Sequence, residues 1–391
     1  MNETAIELVD EVLPAVAMRQ WVVTVPWALK YRFGYDRRAC ALLSRQFNEA
    51  LGRLMRRKAK AELGLSSVSE AHTGAVTFVQ RADAALRLSP HLHVLSLDGV
   101  YVRDSSGKLE FHALSAPTQE EVQWVAQQTA TRVLGKLELE EVGQEDDYHH
   151  DEPLLAHLYG SSVSGTEALG PRQGMAATRL VDARTQQAGQ EAPLLAQWEG
   201  FGVYADRGID GRDRQRLFQL TRYLTRPPVS QARLSEMRDG RLCYRLKRVF
   251  RDGTAAVVLS PLDLISRLAA LVPPPRFHLV RYSGVLSSHA SLRPEVIIGG
   301  QPKRQLLLPF GVAGPGKPAP KSPSRRTSWA KMLARVFQID VTVCPTCGGP
   351  MKIARFVTDP EEIAQHLGGA GAGSRAPPAV GPTQLELPML G

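Results

Sequence analysis

Between Gly74 and Leu114 the chain passes through four short β-type segments joined by brief turns, and this stretch most constrains the fold. GAVTFVQR (74–81), HLHVLSL (91–97), VYVRD (100–104) and KLEFHAL (108–114) carry the β-branched, aliphatic and aromatic residues that fill a pleated core. Asp104-Ser105-Ser106-Gly107 is a turn between the last two. Upstream, RQWVVTVPWAL (19–29) reads as a first strand ended by Pro26. A helix follows from Asp36, its N-cap, with Leu42, Leu43, Phe47, Leu51 and Leu54 at three-four spacing. A second helix starts near Thr118, with Glu120 and Glu121 in its first turn, and runs to about Leu137. A strand, a helix, hairpin strands and another helix make an α+β layout: an antiparallel sheet with helices on one face.

After this block, the acidic segment and the Gly/Arg-containing stretch after it read as a partly mobile insertion over about 138–195. The core resumes with WEGFGVYADRGI as a strand and DGRDRQRLFQLTRYLT as a helix stopped by Pro227-Pro228. GRLCYRLKRVFRDGTAAVVLS (240–260) reads as a hairpin turning at Asp252-Gly253. The sequence thus divides into a core over 1–260, an extension over 261–310, a Pro/Gly/Ser linker at 311–327, a small module over 328–367 and a low-complexity tail over 368–391, expected to be disordered. The first twelve residues hold four acids and no base, unlike a signal peptide, and no apolar run approaches the ~20 residues a bilayer span needs. The expectation is a cytoplasmic chain with no membrane partner.

Charge narrows the partner. The formal net charge is +9, and between Arg207 and Arg251 thirteen Lys or Arg face four acids. From Glu138 to Glu152 there are eight acids and no base. A single charge run is usually a solvated helix face. So dense an arginine-rich segment points instead to a phosphate-rich partner, with nucleic acid the leading candidate. The four cysteines exclude a disulfide framework: Cys40 and Cys243 read as single buried thiols, and only Cys344 and Cys347 have metal-like spacing. Cys344-Pro345-Thr346-Cys347-Gly348-Gly349 is half of a zinc knuckle, evenly balanced against a plain turn with two thiols. His149 to Glu152, HHDE, reads as a solvated loop.

Two constellations carry chemistry. His91 and His93 lie two positions apart in an apolar strand, so both imidazoles leave the same face. Such a pair can chelate a divalent ion, although an isolated His-x-His is more often structural. Tyr223 sits on a helix whose Leu217, Leu220 and Leu224 face inward, with Arg222 and Arg226 beside it. A phenol can attack a phosphodiester and hold the broken end as a phosphotyrosine. On local features alone, a boundary tyrosine is the plainer reading.

The blocks GAVTFVQR, HLHVLSLDGVYV, RYLTRPP, GRLCYRLKR followed by RDGT, LISRLAALVPPPRFHLVRYSGVL and VFQIDVTVCPTCGGPM occur in this order. Together they resemble the insertion-sequence-91 family of rolling-circle transposases, within the HUH (His-hydrophobic-His) single-strand DNA endonucleases. The resemblance runs from about Leu8 to Thr358. It implies an RRM-like antiparallel sheet with a central histidine strand and the tyrosine on a flanking helix. It implies that His91 and His93 hold Mg²⁺ or Mn²⁺. Tyr223 would cleave single-stranded DNA at insertion-sequence ends through a 5′-phosphotyrosine, and the strand would be rejoined at target DNA. Arg222, Arg226, Lys247 and Arg248 would guide the DNA, and Cys344 and Cys347 would be candidate Zn²⁺ ligands.

The chain departs from that family's pattern in three places. Gln219 stands where many relatives have a second tyrosine, which implies the single-tyrosine branch, with a homodimer as the candidate assembly. Tyr204 stands where relatives often have a histidine, which makes Gln80 a candidate third ligand. Relatives also continue upstream into a cysteine-rich zinc-binding domain, of which MNETAIELVDEVLP resembles the exit helix. Two rival readings follow: a plasmid rolling-circle replication initiator, and a catalytically inactive remnant that only binds DNA.

Overall fold

The computed structural model describes residues 2–141, 152–181, 194–250, 252–297, 343–344 and 347–351. In chain order the elements begin α1 (Asn2–Glu11), β1 (Met18–Thr24), α2 (Lys30–Tyr35), α3 (Arg37–Leu63), β2 (Gly74–Ala82), β3 (Leu88–Leu97), β4 (Gly99–Arg103) and β5 (Leu109–Ala113). They continue with α4 (Gln119–Glu141), α5 (Pro153–Ser164), β6 (Thr178–Val181), β7 (Leu194–Trp198), β8 (Phe201–Ile209) and α6 (Arg214–Leu224). The last are β9 (Leu234–Glu236), β10 (Leu242–Arg245), β11 (Thr254–Leu259), α7 (Pro261–Leu271), β12 (Val280–Gly284) and α8 (Arg293–Val296). The chain separates into one unit of residues 9–304 and another of residues 1–8 with 305–390. The linker at 311–327, the tail after Gly368 and the histidines of HHDE lie outside the described residues. No described helix is long and apolar enough to cross a membrane.

In the larger unit, six strands form one sheet in the order β12-β2-β3-β1-β8-β7, antiparallel at every pairing. The fold is therefore α+β, with the histidine strand β3 in an interior position. Residues directly opposed across such a sheet share a face, so the register assigns every side chain. Trp21, Val23, Leu92, Val94, Val79, Val203 and Ala205 fall on one face and enter a core with α3 and α4. α3 supplies Leu43, Phe47, Ala50 and Leu51, and α4 supplies Val122, Val125, Ala126, Ala130 and Val133, both at helical spacing. The Trp21 and Phe47 rings meet edge-on at 6.2 Å.

α3 begins as expected. The Asp36 carboxylate accepts hydrogen bonds from the amides of Arg38 and Ala39. Such a cap contributes about 1 kcal/mol. The helix ends at Gly64, whose φ of 65° satisfies a left-handed cap.

The expectation of helices on one face needs correcting. His91, His93 and Leu95 face away from α3 and α4, yet β3 is buried on both sides along most of its length. α6 reaches that second face, because the Gln80 amide nitrogen donates to the Leu224 carbonyl at 3.2 Å. Leu217, Phe218, Leu220, Thr221 and Leu224 of α6 are buried. An apolar strand of this kind has to be covered on both faces.

A second antiparallel sheet, β6-β11-β10-β9, has a core of its own with α5 and α7, in which Tyr159 and Tyr244 are fully buried. The 138–195 stretch, expected as a partly mobile insertion, thus contributes α5 and β6 to a packed layer, while residues 142–151 and 182–193 lie outside the described residues. Arg81 of β2 donates to the Leu271, Ala270 and Val272 carbonyls at the end of α7, where a cation complements the helix dipole. Of the two thiols expected inside, Cys40 is buried and pushed up to about 11 by desolvation. Cys243 is only half-buried, because its strand is a short one in the smaller sheet.

Within the other unit, Cys344 and Cys347 lie in a tight turn closed by Cys344 N–H to Gly349 O and Gly348 N–H to Cys344 O, both 2.9 Å. Among the described residues, no group of three or more His, Cys, Asp or Glu forms a metal site.

Candidate active site

The second face of the sheet collects the polar side chains that the strand pattern would otherwise leave unexplained. His91 is paired with Gln80 of β2 and Thr24 of β1, and His93 with Phe78 and Val22. The two imidazole rings stand edge to face with centroids 5.2 Å apart. Tyr204 shares this face in the His93 row, but it pairs with Val22 and so lies a strand further off. Gln80, directly opposed to His91, is the nearer of the two candidate third positions.

Hydrogen bonding fixes what each imidazole can do. His91 Nδ1 lies 2.7 Å from the Ser89 carbonyl, which can only accept. The proton therefore sits on Nδ1, and Nε2 presents a bare lone pair. His93 is 2 % exposed, with Nδ1 2.9 Å from the Gln20 carboxamide. If the amide nitrogen donates, Gln20 Oε1 and His93 Nε2 are both buried without a partner. Turning the near-isosteric carboxamide over lets Oε1 accept from Nδ1–H instead. His93 Nε2 then becomes a lone pair rather than a stranded donor. Gln80 donates through its amide nitrogen, leaving its oxygen as the accepting end.

Burial pushes His91 below the usual imidazole value, against the opposing effects of the Ser89 carbonyl and Asp83. It pushes His93 well below, helped by His91 and by the positive charge of Arg226. Both rings are therefore neutral near pH 7, the form that coordinates metal. The unfolded chain takes up protons on these histidines below about pH 6.5, and the folded one does so only at lower pH. Stability should thus be intact above that value and decline as the pH falls below it. Thermal melts between pH 7.5 and 5.5 should show a falling midpoint, with a shallower fall in His93→Gln; parallel curves would remove His93 from this account.

Tyr223 is half-buried near the end of α6. Asp213 caps the start of that helix by accepting from the Arg216 amide at 2.9 Å. The Arg226 guanidinium lies 4.1 Å from the centre of the Tyr223 ring, and Lys247 Nζ lies 5.1 Å from it. Burial raises the phenol pKa, and Arg226, Arg248 and Arg233 oppose that rise. Arg226 stacks on the Tyr223 ring and its positive charge also disfavours protonation of His93, while the Gln80–Leu224 hydrogen bond joins the end of α6 to the histidine face.

Of the four basic residues singled out in the sequence, Arg226 and Lys247 stack on Tyr223, Arg248 acts on it electrostatically, and Arg222 is exposed. Two participants escaped the sequence reading. Arg233 is one; it also stacks at 4.9 Å on Tyr244. Gln20 is the other, and its only sequence signal was a polar residue in an apolar strand.

A sheet face bearing paired imidazoles, beside a tyrosine ringed by cations, suits work on phosphodiesters. Comparison with known families agrees: residues 74–293, more than half of the chain, match the family described as "Putative transposase". The chain belongs to this transposase family, a class of DNA-processing enzymes. No curated protein and no solved structure matches it.

Proposed function

We propose that the protein is a rolling-circle transposase of the insertion-sequence-91 type, which nicks and rejoins single-stranded DNA with Tyr223 as nucleophile. The observation that carries this reading is the convergence of His91, His93 and Gln80 with the end of α6, where Arg226 bears on both Tyr223 and His93.

The donor set fits a divalent cation: a neutral imidazole with a bare Nε2, a second whose buried Nε2 has no protein partner, and an amide oxygen opposite the first. His91, His93 and Gln80 would hold Mg²⁺ or Mn²⁺, which would polarise the scissile phosphate and stabilise the leaving 3′-oxygen. Tyr223 Oη attacks phosphorus; the new bond is P–O(Tyr) and the broken one is P–O3′. The phenolic proton passes to water, and the departing 3′-oxygen takes one up as a hydroxyl. Arg226, Arg233 and Arg248 favour the phenolate that burial disfavours, and with Lys247 they neutralise the phosphate. One diester replaces another, so the 3′-hydroxyl can reverse the step at target DNA without an external energy source. With one such tyrosine per chain, a homodimer would supply the second nucleophile.

The test uses single-stranded oligonucleotides from the element's ends, labelled at either terminus and incubated with Mn²⁺ or EDTA. The expected result is a metal-dependent covalent adduct retaining the fragment 3′ to the cut, through its 5′-phosphate. Binding without adduct under every metal would overturn the nuclease reading and favour an inactive DNA-binding remnant.

A further inference from the structure

On the sheet face opposite the histidines, a cleft of about 720 Å³ opens between α3 and the β2–β12 edge. Arg38, Arg45 and Arg56 line one wall, and Arg281 of β12 lines the other. Register places Arg281 opposite Thr77, whose hydroxyl takes a hydrogen bond from Asn48 of α3 at 3.0 Å. The cleft therefore belongs to the α3 side of the sheet, with the sheet itself between it and Tyr223.

Among the described residues its charge is nearly unopposed: Glu49 is the one described acid lining it, and that carboxylate is engaged by Arg53 at 3.6 Å and Arg132 at 4.0 Å. None of the four cleft arginines is paired with a carboxylate among the described residues, and Arg281 Nε is buried without any hydrogen-bond partner. A buried donor left unmet is costly, so an acceptor that came within its reach would be favoured. β12 is moreover the outermost strand of the sheet, so its outer backbone edge pairs with no strand among the described residues.

Length separates the candidate ligands. Arg38, Arg45 and Arg56 lie in one stripe of α3, seven and eleven residues apart. At 1.5 Å per residue the stripe extends about 27 Å. A free phosphate or mononucleotide would reach one of these cations, whereas a strand with a phosphate at every nucleotide reaches all of them. A groove of this volume takes a single strand more readily than a duplex.

We propose that this cleft is a second DNA-binding site, holding a single-stranded segment distinct from the one at Tyr223. The inference rests on the transposase reading for its ligand but not on Tyr223 chemistry. The test is Arg38→Gln/Arg45→Gln/Arg56→Gln in the full chain, at exposed or half-exposed positions outside the proposed active site. Fluorescence anisotropy with a long single-stranded oligonucleotide should show affinity reduced at least tenfold at low salt. The slope of log K against log salt should fall by about 2, or 0.7 for each of three lost contacts. Adduct formation on a saturating short oligonucleotide covering only the cut should keep its wild-type rate. Unchanged affinity and slope would overturn the proposal, as would deoxythymidine monophosphate binding that the substitutions abolish while oligonucleotide binding stays intact. Absence of any adduct in the wild type would count against the nuclease reading alone, because the anisotropy comparison is independent of it.

Discussion

Tyr223→Phe is expected to remove covalent adduct formation and lower strand cleavage by at least about 10⁴-fold, the scale on which loss of a catalytic nucleophile is felt. The substitution deletes one oxygen and keeps the ring, so the cation contacts of Arg226 and Lys247 with that ring should survive. Oligonucleotide affinity should accordingly change by less than a factor of about 3, and the melting temperature little. This combination separates the proposal from its rivals. A DNA-binding remnant loses nothing on the substitution because it cleaves nothing to begin with. If another tyrosine were the nucleophile, Tyr223→Phe would still form the adduct. Tyr204 is the alternative to examine, since it lies on the same sheet face, but it sits two strands from His93 and is 2 % exposed. Mass spectrometry of the trapped adduct would identify the modified tyrosine directly.

Much of this arrangement was legible in the sequence because it is local. Asp36 before a three-four apolar stripe specifies where α3 begins, and the Asp104–Gly107 turn specifies the β4–β5 hairpin. The spacing of His91 and His93 alone put both imidazoles on one face. Long-range features were not legible. β12 joins the main sheet through Val280 opposite Phe78, and nothing near Val280 announces a partner two hundred residues earlier. The covering of the second face was missed because a strand apolar on both sides resembles one with a single buried face until the register is known. Arg222 and Arg226 look equivalent in the sequence, but they differ once the helix ends at Leu224 and the chain turns Arg226 back over Tyr223. Gln20 could be read as polar but not as the partner of His93, because that contact links residues 73 positions apart.

The His93–Gln20 pair supplies the second large effect. His93→Ala removes an imidazole from a buried position, and cleavage in Mn²⁺ should fall by about 10²–10³-fold, the scale of losing a charge-stabilising group in phosphoryl transfer. Gln20→Leu leaves the imidazole in place but deprives Nδ1 of its polar partner. The ring then has no fixed tautomer, and divalent-ion affinity should weaken by about 10–100-fold, the usual cost of losing an outer hydrogen bond to a ligating histidine. Isothermal titration of Mn²⁺ into the DNA-free protein measures this without reference to catalysis. Gln20→Glu is the informative companion. A carboxylate can only accept, so it enforces Nδ1–H and a bare Nε2, and ion affinity should be retained or raised relative to wild type. If Gln20→Leu binds Mn²⁺ as the wild type does, the carboxamide does not set the tautomer. If Gln20→Glu loses binding as severely as Gln20→Leu, the amide nitrogen is the working end of Gln20, and His93 would present N–H rather than a lone pair to this face.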